Sequence, residues 1–244
     1  TKIDLSDLET VQKIKFPKIK ATTEVLLVNN AATIGSIIPI NKKSENEIIG
    51  EYNLNIISPT LLSRKFINTY ADNIKLLINI GSGAANSPIA SWSTYCATKS
   101  GLDMLTKVIT EEKHKNLTVL SIHPGVVDTK MQLEIRKSDP ESFPLLDKFI
   151  AFYKEAALEN VQIVAKKIWY IAQNTGKFPH NIVSIRDIRK GDIFSNDNIW
   201  VKRPGTGQVP ADAFNHVLGK RAIQDVAADK HLKIQDIEGY TGGK

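Results

Sequence analysis

Three apolar runs do most to limit the folds open to this chain: Glu24-Val25-Leu26-Leu27-Val28, Lys75-Leu76-Leu77-Ile78-Asn79-Ile80 and Leu117-Thr118-Val119-Leu120-Ser121-Ile122. Each has the length of a strand, and continuous runs of this kind suit a parallel sheet buried on both faces. A helical pattern through Tyr52, Leu54, Asn55, Ile57, Leu61 and Leu62 separates the first two. A second one, Thr94 to Glu111, separates the last two, with Leu102, Leu105, Val108 and Ile109 on its apolar side. Strand, helix, strand, helix, strand is the rhythm of a doubly wound α/β layer.

Local signals fill in the rest. Thr1 to Asp4 reads as the end of a strand, and Ser6 to Val11 as a short helix with Ser6 as its cap. Pro59 falls inside the first long helical pattern, where it has no N–H for the carbonyl of Asn55. Pro124-Gly125 stops the third strand, and Asn160 caps a helix carrying Val161, Val164, Ile168 and Ile171. The excursion from Met131 to about Leu158 is long for a connection, as segments that cover a binding site often are. Near Thr175 to Pro179 the texture changes to short elements punctuated by turns, so a boundary is expected near residue 180, dividing the chain into 1–180 and 181–244.

Composition excludes several classes. The 244 residues are 42% hydrophobic and 24% charged, which is globular rather than disordered content. The net charge of +6 is scattered, with no basic run interleaved with aromatics, so a nucleic-acid partner is not expected. No apolar run is long enough to span a bilayer. The single cysteine, Cys96, can form neither an internal disulfide nor a metal site, and fits a reducing, cytoplasmic setting.

The chemistry is concentrated between Ser82 and Lys99, Ser-Gly-Ala-Ala-Asn-Ser-Pro-Ile-Ala-Ser-Trp-Ser-Thr-Tyr-Cys-Ala-Thr-Lys. Tyr95 and Lys99 are spaced i and i+4 and share a helix face. An ammonium beside a phenol favours the phenolate and draws the phenol's pKa from about 10 toward neutrality, which makes an acid/base pair. A Ser82 hydroxyl at the preceding strand end could hold the oxygen being protonated. A bare Tyr-x-x-x-Lys also occurs on ordinary surface helices. The surrounding residues decide between the two.

Asn29-Asn30-Ala31, Asn55, Ser82, Tyr95, Lys99 and Pro124-Gly125 occur in the order, and at the element ends, of the short-chain dehydrogenase/reductases. The chain resembles that family from Thr1 to about Phe178, and Ser82 precedes Tyr95 by the family's thirteen positions. The resemblance implies a Rossmann-like α/β domain and an oxidoreductase using NAD or NADP on a small carbonyl or alcohol substrate, and a homo-oligomer is expected. It implies Tyr95 as proton donor or acceptor, Ser82 as the group polarising the substrate oxygen, and Lys99 as the residue that lowers the Tyr95 pKa and holds the nicotinamide ribose. Asn55 would offer its main-chain carbonyl to a water in the proton relay. Asn29 and Ala31 would line the adenine-ribose side, Asp4 would contact adenine, and Thr129 would reach the nicotinamide carboxamide. Pro124 to Ala156 is most similar to the sepiapterin- and benzil-reductase-like members.

Two departures stand out. Ala32 replaces the last glycine of the Asn-Asn-Ala-Gly motif. The glycine-rich strand-turn-helix that receives the pyrophosphate has no counterpart before Thr1, and Gly81-Ser-Gly83 lacks its third glycine, so weak or lost dinucleotide binding is expected of these 244 residues.

The tail, Ile182 to about Glu238, resembles the SAF, or antifreeze-like, domain of sialic acid synthases. The resemblance rests on Asp187-Ile-Arg-Lys-Gly-Asp-Ile193, Asn198-Ile-Trp-Val-Lys-Arg-Pro-Gly-Thr-Gly207, Leu218-Gly-Lys-Arg-Ala222 and Leu232-Lys-Ile-Gln-Asp-Ile237. It implies a small β-rich module and gives Arg203 an amino-sugar contact, which a guanidinium fork suits. Arg203 as a plain turn residue is the equal alternative. Two functions compete at this point: a reductase acting through Ser82, Tyr95 and Lys99, and a non-catalytic remnant whose SAF module binds an amino sugar or a synthase-like partner. A chimeric reading frame is a third.

Overall fold

The three apolar runs form β1 (Val25–Asn29), β2 (Lys75–Ile80) and β3 (Leu117–Ile122) of one parallel sheet, ordered β1-β2-β3. The computed structural model describes residues 3–175, 181–202, 207–210 and 213–242. Asn29, Asn79 and Ser121 lie abreast in the register, so three polar side chains mark the carboxyl ends of the strands. The sheet is Rossmann-like, as the alternation of elements predicts.

The connecting helices follow from local signals. Ser44 and Glu47 form a capping box that opens α2 (Glu45–Tyr52). A π-helical turn over Asn53–Ile57 leads into α3 (Ser58–Thr69), so the Pro59 irregularity is absorbed by a wider turn instead of a break. α4 (Ser93–Glu111) precedes β3, and α5 (Lys130–Arg136), α6 (Leu146–Lys154) and α7 (Val161–Gln173) follow it. Asn160 caps α7, its Oδ1 accepting from the N–H groups of Gln162 and Ile163.

The first residues differ from expectation. Ile3 and Asp4 are not in a strand, and the short helix is α1 (Leu8–Lys13), capped by Asp7. Asp7 immediately precedes the helix and its carboxylate accepts from the Glu9 and Thr10 N–H groups, while Ser6 lies one residue further out and donates its N–H and hydroxyl to Asp4 at 2.9 and 2.7 Å. β1 also departs from burial on both faces. Leu27 packs inward with Phe66, Tyr70, Leu77 and Ile109, whereas Leu26 and Val28 are 39% and 38% exposed. β1 is an edge of the described sheet, and α3 and α4 pack against one face.

Polar groups inside this layer are paired. The Asn29 amide donates to Ser63 of α3 at 3.2 Å and to Asn79 at 2.8 Å, and Asn79 donates to Thr106 of α4 at 2.8 Å. Lys75 is buried with its ammonium on the carbonyls of Tyr70, Ala71, Asn73 and Lys115, at 2.9–3.0 Å. That cation closes the carboxyl end of α3, where free carbonyls accumulate. A second apolar cluster joins Ile34, Trp92 and Tyr95 to Ile135, Phe143 and Phe149. The long excursion after β3 therefore packs over Tyr95.

Contacts divide the chain into Thr1–Ile168 and Trp169–Lys244, a division that falls within α7, ahead of the texture change near residue 180. In the second unit β4 (Asn181–Ser184) pairs antiparallel with β5 (Ile199–Lys202), and α8 (Phe214–Val217) follows. Its core holds Ile188, Phe194, Ile199, Val217, Leu232 and Ile237.

Candidate active site

Ser82 is the first residue past the Gly81 that ends β2, and its extended backbone carries the hydroxyl off the strand end. The three-residue turn Gly83–Ala85 follows, with the Ser82 oxygen accepting from the Ala84 N–H at 3.2 Å. α4 then brings Tyr95 back in its first turn, with the phenol near enough to the Ser82 hydroxyl to be influenced by it. One turn further on, Lys99 is 3% exposed and donates to the Ile80 carbonyl at 2.7 Å, with its nitrogen 5.7 Å from the centre of the Tyr95 ring. The structure thus gathers Ser82, Tyr95 and Lys99 into one cluster, as their spacing predicts.

The electrostatics differ from the sequence expectation. Burial pushes the Tyr95 phenol above its ordinary value, with the neighbouring Ser82 hydroxyl pulling it partly back. Burial also lowers Lys99 to about 8, opposed by the charge of Asp103. The net shift of the phenol is upward because the cost of burying its charged form outweighs the influences that favour it. A phenol held neutral is a proton donor, the form that protonates a developing alkoxide.

Asn55 is 1% exposed in the π-helical turn. Its side chain accepts from the Thr33 N–H at 2.9 Å and donates to the Thr33 carbonyl at 2.8 Å, and also to the Thr98 hydroxyl at 3.2 Å. It clamps the loop after β1 to the residue before Lys99. Sequence reading assigned Asn55 only a backbone carbonyl and missed the clamp.

The residues expected on the cofactor side are placed as follows. Asn29, Asn30 and Ala31 line a cavity of about 230 Å³ at the end of β1, with Leu5, Leu54 and Pro59 among its other walls. Asn29 offers that cavity no N–H, since its amide donates to Ser63 and Asn79. Asp4 is exposed and closes a turn on Ser6. Thr129 is exposed at the start of α5 with its side chain making no capping bond. A largely apolar slot lined by Leu5, Leu54, Pro59 and Leu62 together with Asn29, Asn30 and Ala31 suits a planar ring, and Thr129 and Lys99 supply polar groups of the kind a carboxamide and a ribose take. These residues are compatible with the two ends of a dinucleotide. Arg203 lies outside the described residues. A larger cavity of about 550 Å³, lined by Asp225, Lys230, His231 and Lys233 among others, is in the second unit and includes none of these residues.

Two clusters escaped sequence reading. Lys43 and Glu51 form an ion pair at 2.6 Å with side chains 0% and 5% exposed, and Thr94, next to Tyr95, donates its hydroxyl to Glu51. Asp103 accepts from Ser121 at 2.5 Å and pairs with His123 Nε2 at 2.7 Å. The i,i+4 spacing of Lys99 and Asp103 was a visible signal for the second. The first had none, because its members meet only in the folded chain.

Comparison with known proteins places this constellation. The family model for short chain dehydrogenases matches residues 1–140, and that for SAF domains matches residues 182–238. The chain belongs to the short chain dehydrogenase family. This short chain dehydrogenase is 37% identical over 187 residues to benzil reductase ((S)-benzoin forming) of Bacillus cereus, covering 74% of the chain and 75% of that protein. It is 31% identical over 159 residues to sepiapterin reductase of Xenopus tropicalis, covering 62% of the chain and 59% of that protein. Its fold matches that of the KRED1-Pglu enzyme with a TM-score of 0.60 at 24% identity, over 70% of this chain and 72% of that one. Asn55, Ser82, Tyr95 and Lys99 all fall within the matched dehydrogenase segment. Among the described residues no helix is long and apolar enough to cross a membrane.

Proposed function

We propose that the chain is an NAD(P)-dependent oxidoreductase that reduces a carbonyl to an alcohol, or runs the reverse, with Tyr95 as the acid/base. The observation that carries this reading is the buried Tyr95 phenol beside the Ser82 hydroxyl, with the buried Lys99 ammonium one helical turn away. When bound, the dinucleotide supplies a hydride to the carbonyl carbon. The carbonyl oxygen sits against the Ser82 and Tyr95 hydroxyls, and both donate to it. As negative charge develops on that oxygen, Tyr95 gives up its proton, the product leaves as an alcohol, and the phenolate left behind is stabilised by the Lys99 ammonium until it is reprotonated. Pro59 leaves the Asn55 carbonyl without its helical N–H, which favours a water there as the proton source. In the oxidative direction the same groups accept the proton.

For the cofactor, Lys99 and Thr129 would hold the nicotinamide end, the slot lined by Asn29 and Ala31 the adenosine end, and Asp4 would contact the adenine. An aryl-bearing substrate is in keeping with the name of the benzil reductase relative, and the acid/base Tyr95 is backed by a buried aromatic cluster. Trp92 stacks on Phe143 at 5.4 Å and meets Tyr95 edge-on at 5.7 Å.

The experiment is reduction of benzil by NADH or NADPH, followed by loss of nicotinamide absorbance. Tyr95→Phe is expected to lower kcat by about a thousandfold, and a variant as active as the parent would overturn the mechanism. Direct titration with NADH and NADPH decides cofactor binding separately.

The SAF match supports a second role in the same chain, in which residues 181–244 form a module that takes an amino sugar through Arg203. NMR of the full chain with N-acetylmannosamine tests it. Shifts confined to the tail and lost in Arg203→Ala support the role, and an unchanged spectrum rejects it.

A further inference from the structure

Lys99 is the least affordable charge in the site: an ammonium 3% exposed, whose hydrogen bond recorded above is to a neutral backbone carbonyl. A buried cation persists where an anion lies close to it. Asp103 is one helical turn further along α4, on the same face as Tyr95 and Lys99. Its carboxylate is built in from two sides. The Ser121 hydroxyl donates to one oxygen at 2.5 Å and His123 Nε2 meets the other at 2.7 Å, both from the end of β3. The backbone linking β2 to Ser82 closes a third side. A Cβ placed on Gly81 would lie 2.4 Å from the His123 ring and 2.9 Å from an Asp103 oxygen, so this approach is open only to glycine.

We propose that Asp103 is the positioning residue that keeps the Lys99 ammonium charged and in register with Tyr95, and that Ser121 and His123 hold the Asp103 carboxylate in place for it. The inference rests on the reductase reading, in which Lys99 acts as a cation. Around Lys99 are Tyr95 one turn before it and Asp103 one turn after it on α4, the Ile80 carbonyl on β2 and Ser82 beyond it. The Asp103 carboxylate forms no direct ion pair with the ammonium and acts on it through its charge. Those facing Asp103 are Lys99 and Lys107 on its own helix, with Ser121 and His123 from β3. Two features of the titration support the assignment. Asp103 opposes the fall that burial imposes on Lys99. Burial would push Asp103 itself up, but the hydrogen bond and charge of His123 and the hydrogen bond of Ser121 outweigh it and keep the carboxyl below its usual value.

The test is an NMR titration of the lysine side chains in the full-length chain, with the Lys99 signal assigned by its loss in Lys99→Met. In Asp103→Asn the Lys99 midpoint is expected to fall by about one pH unit, in His123→Asn by less, and in Asp103→Glu to return toward the parent. An unchanged midpoint in Asp103→Asn overturns the proposal. If Asp103→Asn does not fold, His123→Asn decides, with an unchanged midpoint again counting against it. Where benzil reduction is measurable, the alkaline limb of kcat/KM should move down with the Lys99 midpoint. A parent chain inactive toward carbonyls, together with a shifted Lys99 midpoint, removes the reductase reading and leaves the Asp103–Lys99 coupling standing.

Discussion

Burial brings the Lys99 ammonium from 10.5 down to about 8. A folded-state value below the unfolded one means the buried charge opposes folding in full below about pH 8. The opposition fades as pH rises toward 10.5, where the amine is neutral in both states. Lys99→Met should therefore raise the unfolding free energy at pH 7 by about 3 kcal/mol, with most of the gain gone by pH 10. Urea denaturation at the two pH values checks this, and a destabilised variant at pH 7 would contradict it. Gly35 makes the opposite case. Its φ of +66° is costly for a side chain, and an added Cβ would lie 1.8 Å from a Glu51 oxygen, so Gly35→Ala should cost at least about 2 kcal/mol by the same measurement.

At the scale of elements, the loop after β1 is fastened twice. Asn55 grips Thr33, and Lys43 and Glu51 pair under the loop while Thr94 ties Glu51 to the start of α4. Both fastenings converge on the first turns of α4, where Tyr95 sits. Breaking a buried pair from one side leaves a charge without its counterion. Lys43→Met is expected to cost about 3–5 kcal/mol, and Lys43→Met with Glu51→Leu markedly less. Thermal unfolding of the single and double variants decides, and an equal loss in both would show that the site depends on shape and not on charge. The Asn29–Asn79–Thr106 ladder does similar work across the sheet. It holds β1 and β2 in register with α4, and it commits both N–H groups of the Asn29 side-chain amide.

The whole molecule comprises two units with separate cores, one around the parallel sheet and the other around Ile188, Phe194, Ile199 and Leu232. A fragment of residues 169–244 should fold without the rest, giving a dispersed amide spectrum and a cooperative transition. A collapsed spectrum would show that the tail depends on the dehydrogenase unit. A domain of this size buries a modest fraction of its surface, so its transition is expected at a lower denaturant concentration than that of the sheet unit.

Features set by near neighbours in the chain were legible. The strands follow from continuous apolar runs, the α7 cap from Asn160 two and three residues before the N–H groups it serves, and the shared face of Tyr95 and Lys99 from helical periodicity. Even locally a neighbour can win: Asp7, one residue on from Ser6 and directly ahead of the helix, caps α1 in its place. What could not be read depends on how far one element slides past another. Lys99 meets a carbonyl nineteen residues back, Thr94 meets Glu51 forty-three residues back, and Asp103 meets His123 twenty residues on. Spacing puts an ammonium and a phenol on one helix face. Whether the ammonium turns to the phenol or to the end of β2, and how much water is left around either, is set by packing, and burial then moves both groups away from the values their adjacency alone would give.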